Sequence, residues 1–180
     1  EASYQRKLEI TRQYLTRDAE VYEFGCGTGS TAIAHAPFVK HITATDFSAE
    51  RVKIAQAKAL DAGVDNVHFE QAGIEDAAVA DNSYDAVMGH SILHLLEDKD
   101  AAIAKVSRML KPGGVFVSST ACIRDFMPWI RFIEPLGRWS GLLPRINVFT
   151  AENLRASLVQ AGFRIDHEWL PGKKKALFII

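Results

Sequence analysis

The chain reads as an α/β fold on a doubly wound, mostly parallel sheet, and three observations predict it. Short apolar runs alternate with stretches of helical period along most of the 180 residues. The first apolar run, Val21 to Phe24, passes directly into Gly25-Cys26-Gly27-Thr28-Gly29-Ser30, where glycines at alternate positions lead into small residues able to start a helix. Near the end, two further segments meet at Pro171-Gly172 like a hairpin, which adds one antiparallel strand and brings the sheet to seven.

From about Ser3 to Arg17, the residues Tyr4, Leu8, Tyr14 and Leu15 recur at roughly helical spacing among charges and predict an amphipathic helix. Val21 to Phe24 is the first strand. Thr31 to Ala36 continues the helix that the glycine loop opens, and Pro37 ends it. Val39 to Thr45 is the second strand, with Asp46 at its carboxyl tip. Ser48 as N-cap, Glu50 in the first turn, and Val52, Ala55 and Ala59 on one face define the next helix, which Gly63 closes. Val67 to Gln71 is the third strand, Asp81-Asn82-Ser83 a turn, and Tyr84 to Met88 the fourth strand.

Asp98 or Asp100 caps a helix carrying Ile103, Val106 and Leu110 on one face. Lys111-Pro112-Gly113-Gly114 ends it, and Val115 to Ser119 is the fifth strand. Residues 121–149 carry two tryptophans, three prolines and several arginines with no clean period, so they are read as a lid-like insertion within a single domain spanning 1–180. Thr150 then caps a helix through Leu154 and Leu158 to Gly162, and Phe163 to Leu170 and Lys175 to Ile180 are the closing strands.

A formal net charge of −1 with both signs scattered leaves no electrostatic footprint of a nucleic-acid partner. The one basic run, Lys173-Lys174-Lys175, sits beside a turn and reads as solvated. Two cysteines, Cys26 and Cys122, without CxxC spacing, fit neither a disulfide framework nor a structural zinc site and suit a reducing cytoplasm. No apolar run approaches the roughly 20 residues that span a bilayer, and no signal-peptide pattern opens the chain. The expectation is a cytoplasmic monomer or homodimer without stable membrane insertion.

In an open α/β sheet a ligand sits outside the carboxyl ends of the strands. The glycine loop, Asp46, Gly73-Ile74 and Gly89-His90 all follow such ends. A dinucleotide site of GxGxxG spacing wants a glycine at position 30, which is Ser30. Glu23 inside the strand end suits a ligand carrying an ammonium group and repels a pyrophosphate. Asp46, 21 residues beyond Gly25, is placed to accept hydrogen bonds from vicinal ribose hydroxyls.

These residues, with Asp81-Asn82-Ser83-Tyr84-Asp85, Leu110-Lys111-Pro112-Gly113-Gly114 and Phe149-Thr150-Ala151-Glu152-Asn153-Leu154, resemble the class I S-adenosylmethionine-dependent methyltransferases. The resemblance is to the small-molecule group similar to the ubiquinone/menaquinone-biosynthesis methyltransferases, and it covers nearly the whole chain. It implies a Rossmann-like sheet, S-adenosyl-L-methionine as cofactor with S-adenosyl-L-homocysteine as product, no metal, and a small-molecule acceptor. By position it implies that Gly25, Cys26, Gly27 and Gly29 line the methionine and ribose portion above Glu23. Asp46 then holds the ribose, Phe47 and Ile74 lie on the two faces of the adenine, and the carbonyl of Gly89 or His90 accepts from the ammonium. Gly73 stands where many relatives have an Asp that bonds the adenine amine, and Glu75, a backbone carbonyl or water takes that place.

The sulfonium is already an activated methyl donor, so the protein has mainly to hold an acceptor atom in line and exclude water. His94, Arg124, Trp129 and Arg145 are the acceptor-site candidates, with His94 a potential base and the arginines potential partners of a carboxylate. Asp81 and Asp85 are read as turn and strand-start residues rather than metal ligands, and Cys26 as a small loop residue rather than a nucleophile. The alternative function is a protein that binds the cofactor without turnover, or an accessory subunit, and Gly73 is the feature that favours it.

Overall fold

The computed structural model describes residues 2–122, 125, 148–172 and 176–180. In chain order the elements are α1 (Ala2–Arg12), β1 (Glu20–Phe24), α2 (Ser30–His35), β2 (His41–Asp46), α3 (Ala49–Asp61), β3 (Val67–Gln71), β4 (Tyr84–His90), α4 (Lys99–Met109), β5 (Leu110–Thr120), α5 (Ala151–Gln160), β6 (Glu168–Trp169) and β7 (Leu177–Ile179). Short 3-10 turns occupy Ala36–Phe38 and Leu93–Leu95. The seven strands follow the order β3-β2-β1-β4-β5-β7-β6. Strands β1, β2, β3 and β4 pair in parallel, whereas β7 runs antiparallel to both β5 and β6. The seven-stranded sheet with one reversed strand is the architecture the sequence predicts.

The chain forms two compact units, Glu1–His90 with Arg108–Val117, and Ser91–Ser107 with Ser118–Ile180. In the first, β1 is buried on both faces: Val21, Tyr22 and Phe24 are each at most 1% exposed. A nearly continuous apolar run marks such a central parallel strand. The Phe24 ring stacks on Phe116 with centroids 6.2 Å apart, and Tyr22 places its hydroxyl 3.1 Å from Thr45 Oγ1. At the other end of β1, Asp85 accepts from Glu20 N–H at 2.8 Å and from Lys111 Nζ at 2.9 Å, so its carboxylate braces three segments.

In the second unit α4 and α5 are joined by Lys99, whose ammonium donates to Ser157 Oγ at 2.7 Å and lies 5.4 Å from the Phe149 ring centroid. Arg155 of α5 holds Glu168 of β6 through two bonds at 2.8 and 2.6 Å. Thr150 caps α5, accepting from Asn153 N–H at 3.1 Å while Asn153 Oδ1 accepts from Thr150 N–H at 3.3 Å. The pair satisfies N–H groups that a helix leaves without internal partners.

Several boundaries differ from the sequence reading for local reasons. Helix α1 stops at Arg12, because Gln13 and Tyr14 turn their N–H groups to carbonyls three residues back. Pro37 sits inside a 3-10 turn rather than ending the chain's helical course, and β2 starts at His41. Asp98, not Asp100, caps α4, its Oδ1 accepting from Asp100 and Ala101 N–H, both at 2.9 Å. Leu110 opens β5 instead of closing α4, with Gly113 at φ +78° making the bend. The closing strands are shorter than predicted, and Lys173 to Lys175 lie outside the described residues, as does most of the segment 121–149.

Replacing Thr150 with Ala removes the reciprocal cap and is expected to destabilise the protein by about 1 kcal/mol. A urea titration of the two proteins reads this directly; equal midpoints would show that the cap is not stabilising α5.

Candidate functional site

The loop between β1 and α2 holds alternate residues in the left-handed region: Gly25 at φ +65°, Gly27 at φ +55° and Gly29 at φ +74°. Gly29 and Gly27 differ in what surrounds them. A side chain on Gly29 would meet the Phe69 ring at 2.7 Å and Ala55 Cβ at 2.8 Å, so this glycine lets α2 approach β3 and α3. A side chain on Gly27 would meet nothing within 4 Å. Gly27 thus borders open space among the described residues.

Asp46 holds that loop. It is 2% exposed, and its two oxygens accept from Gly27 N–H at 2.9 Å and Ser48 N–H at 3.0 Å. One carboxylate therefore ties the glycine loop to the end of β2 and to the start of α3. Beside it Cys26 donates its N–H to Thr45 O at 2.9 Å. Burial, and then the neighbouring Glu23 and Asp46 charges, push the Cys26 thiol up to about 12, which removes any nucleophilic role at neutral pH.

Glu23 lies beneath the loop at 2% exposure, accepting from Ala32 N–H, while its Oε2 has no hydrogen-bond partner among the described residues. Burial raises its carboxyl to about 8. At the end of β4, Gly89 approaches Phe24 so closely that a Cβ would lie 2.4 Å from the ring. Next to it, His90 Nε2 is enclosed without a hydrogen-bond partner among the described residues, and burial, with His35 and Lys7 adding to it, lowers the ring to about 3. His35 on α2 is fully buried, neither ring nitrogen has a hydrogen-bond partner among the described residues, and burial with Arg12 lowers it to about 4.

Around the end of β3, Phe47 is 69% exposed while Ile74 is 3% exposed. Phe47 offers an open ring face, and Ile74 is buried in the turn after β3. Gly73 has no side chain of its own, yet a Cβ there would be 3.1 Å from Glu75 Oε2 and 3.8 Å from Asp76 Oδ2. A carboxylate from two residues further on thus borders the space above Gly73.

Glu23, Gly25, Cys26, Gly27, Gly29, Asp46, Phe47, Gly73, Ile74, Gly89 and His90 all belong to the first unit. In the second, His94 is half-buried, with Nδ1 3.2 Å from Thr120 Oγ1, and burial lowers its pKa. Arg124, Trp129 and Arg145 lie outside the described residues. Among the described residues no group of three or more His, Cys, Asp or Glu side chains is placed to hold a metal ion. The sequence reading missed His35, because a histidine in a short helix carries no pattern that separates core from surface.

Residues 21–114 match the family described as a methyltransferase domain, just over half of the chain, and the chain belongs to that family. It is 34% identical over 110 residues to the uncharacterized methyltransferase YcgJ of Bacillus subtilis, covering 61% of this chain and 44% of that protein. It is 31% identical over 138 residues to the demethylmenaquinone methyltransferase of Lactiplantibacillus plantarum, covering 74% of this chain and 56% of the relative. The chain therefore spans about half the length of these two curated relatives. Among solved structures, the PH0226 protein of Pyrococcus horikoshii superposes with a TM-score of 0.80 at 19% identity, over 99% of this chain and 89% of that one. At that identity the likeness is one of fold.

A buried acid with a raised pKa keeps its proton in the native state when the unfolded chain has lost it. Glu23 binds that proton up to about 8, against 4.5 when unperturbed, so its contribution to stability is full below about 4.5 and is lost as pH rises through about 8. His35 and His90 act in the opposite direction, losing stability as pH falls below 6.5 toward about 4 and about 3. The difference between wild type and Glu23→Gln isolates the acid. Urea titrations from about pH 5 to about pH 9 should show the variant gaining on the wild type as pH rises; a difference that does not change with pH would mean Glu23 is ionised throughout.

Proposed function

We propose that this chain is a methyltransferase that transfers the methyl group of S-adenosyl-L-methionine to a small organic acceptor by in-line displacement. The observation that carries the reading is a pair of features around one loop: open space at Gly27, where a Cβ would meet nothing within 4 Å, and Oε2 of buried Glu23, without a hydrogen-bond partner among the described residues. The first fits a ligand lying against the backbone. The second fits a cation, and an ammonium near Glu23 favours the carboxylate form, so binding expels the proton that burial retains.

The cofactor supplies an activated methyl group on a sulfonium. Around it, the lone pairs of Asp46 not used by Gly27 and Ser48 are left to accept from the ribose hydroxyls. Phe47 provides a face for the adenine, and the carboxylate of Glu75, bordering Gly73, takes the exocyclic amine. On the acceptor side we assign His94. Burial lowers its pKa, and in the tautomer we assign Nδ1–H donates to Thr120 Oγ1, which leaves Nε2 to take a proton from a hydroxyl or an amine. The two free, buried cysteines, Cys26 and Cys122, fit a reducing cytoplasm. No helix among the described residues is long and apolar enough to cross a membrane. We take the working form to be a monomer or homodimer.

Calorimetry with S-adenosyl-L-homocysteine, followed by methyl transfer from labelled cofactor to a panel of phenols, quinols, amines and thiols, tests the reading. Binding with turnover on one acceptor class supports it; a protein that binds and methylates nothing in the panel is instead a cofactor-binding subunit, and no binding at all rejects both. Asp46→Ala is expected to weaken binding at least about tenfold, because it removes charge-assisted bonds worth roughly 1.5–3 kcal/mol. Unchanged affinity would show that the ribose is held elsewhere.

A further inference from the structure

Among the described residues other than glycine, two have positive φ, Asn82 and Ser91. Asparagine enters the left-handed region readily, whereas serine does so at a cost. Such a conformation persists where the surroundings fix it. Ser91, at φ +55°, directly follows β4, and its N–H donates to Ser119 O at 2.6 Å, which ties the bend to the end of β5.

The bend leads into the 3-10 turn Leu93–Leu95, where Leu95 N–H donates to Ile92 O at 2.8 Å. Leu93 and Leu96 are buried and fasten this turn on either side of His94. Among the described residues the hydrogen-bond partner of His94 is Thr120, with Nδ1 and Oγ1 3.2 Å apart. Thr120 is fully buried, ends β5 and pairs with Leu177 of β7, so its backbone is fixed by the sheet. A β-branched side chain has few rotamers, and its hydroxyl is fixed in turn. All of these residues belong to the second unit. Burial is the one cause that lowers the His94 ring, with no charge beside it among the described residues. A hydroxyl in that place can orient an imidazole and select which nitrogen carries the proton, without stabilising the imidazolium as a carboxylate does.

The geometry points to Thr120 as the positioning residue of His94: its hydroxyl accepts from Nδ1–H, fixes the direction and the tautomer of the neutral ring, and so keeps Nε2 as the nitrogen that takes the acceptor's proton. The inference rests on the methyl-transfer reading above and adds a residue that acts through the histidine. The strained bend at Ser91 is explained by the same arrangement, since it starts the short turn that delivers His94 to the last residue of β5. With a hydroxyl behind it rather than a carboxylate, the ring is aimed but not charged before the acceptor's proton arrives.

The test reads the ring nitrogens of His94 by nuclear magnetic resonance at neutral pH in wild type, Thr120→Val and Thr120→Ser, with S-adenosyl-L-homocysteine calorimetry on each. Valine keeps the branched shape that suits a strand and removes the hydroxyl. The wild-type ring should carry its proton on Nδ1. Thr120→Val should move it to Nε2, the tautomer that a free neutral imidazole prefers, and Thr120→Ser should keep it on Nδ1. Affinity for S-adenosyl-L-homocysteine should stay within about twofold throughout, while Thr120→Val loses about tenfold in kcat for methyl transfer at an unchanged KM for the cofactor. A wild-type ring protonated on Nε2, or one whose tautomer ignores Thr120→Val, overturns the inference, and so does a switched tautomer with full kcat; each leaves the cofactor reading intact. A wild-type protein that does not bind S-adenosyl-L-homocysteine removes that reading and the inference with it.

Discussion

The contact on which the site depends is the acceptance of two backbone N–H groups by the buried carboxylate of Asp46. A loop with glycines at 25, 27 and 29, all at positive φ, has large conformational freedom in the unfolded chain and no side chain at those three positions to restrain it. Asp46 restrains it from outside by bonding Gly27 at 2.9 Å and Ser48 at 3.0 Å. The parallel register of β1 on β2 brings Phe24 opposite Thr45 and so sets Asp46 beside the loop. Sheet pairing, loop shape and the start of α3 are thereby one arrangement.

The second constraint is electrostatic. Glu23, His35 and His90 are enclosed near the ends of β1 and β4, and burial holds all three toward their neutral forms, at about 8, about 4 and about 3. Such groups are poorly solvated and respond strongly to a ligand charge. A cation near Glu23 is favoured because it restores the carboxylate. The histidines remain neutral, so they add no positive charge to oppose it. On the proposed function, such a setting suits a cationic, zwitterionic ligand better than a pyrophosphate.

Much of this was legible before any coordinates. The alternate glycines, the acid at 23 and the acid at 46 have recognisable types at recognisable spacings, and β3 and the Thr150 cap fall where local patterns put them. What was not legible depends on contacts distant in sequence. Gly29 and Gly89 look like loop glycines, yet their missing side chains accommodate Phe69, Ala55 and Phe24. That Glu75 folds back over Gly73 depends on the turn after β3. That α1 runs beside α2 depends on packing, since no local pattern encodes it.

Hydrogen exchange at the Gly27 amide in the ligand-free protein, followed by nuclear magnetic resonance, tests the central claim most directly. If Asp46 fixes the loop before any ligand arrives, that amide is strongly protected in the free protein and its resonance moves when S-adenosyl-L-homocysteine is added. A Gly27 amide that exchanges as fast as an open loop, or one indifferent to the ligand, would contradict the account.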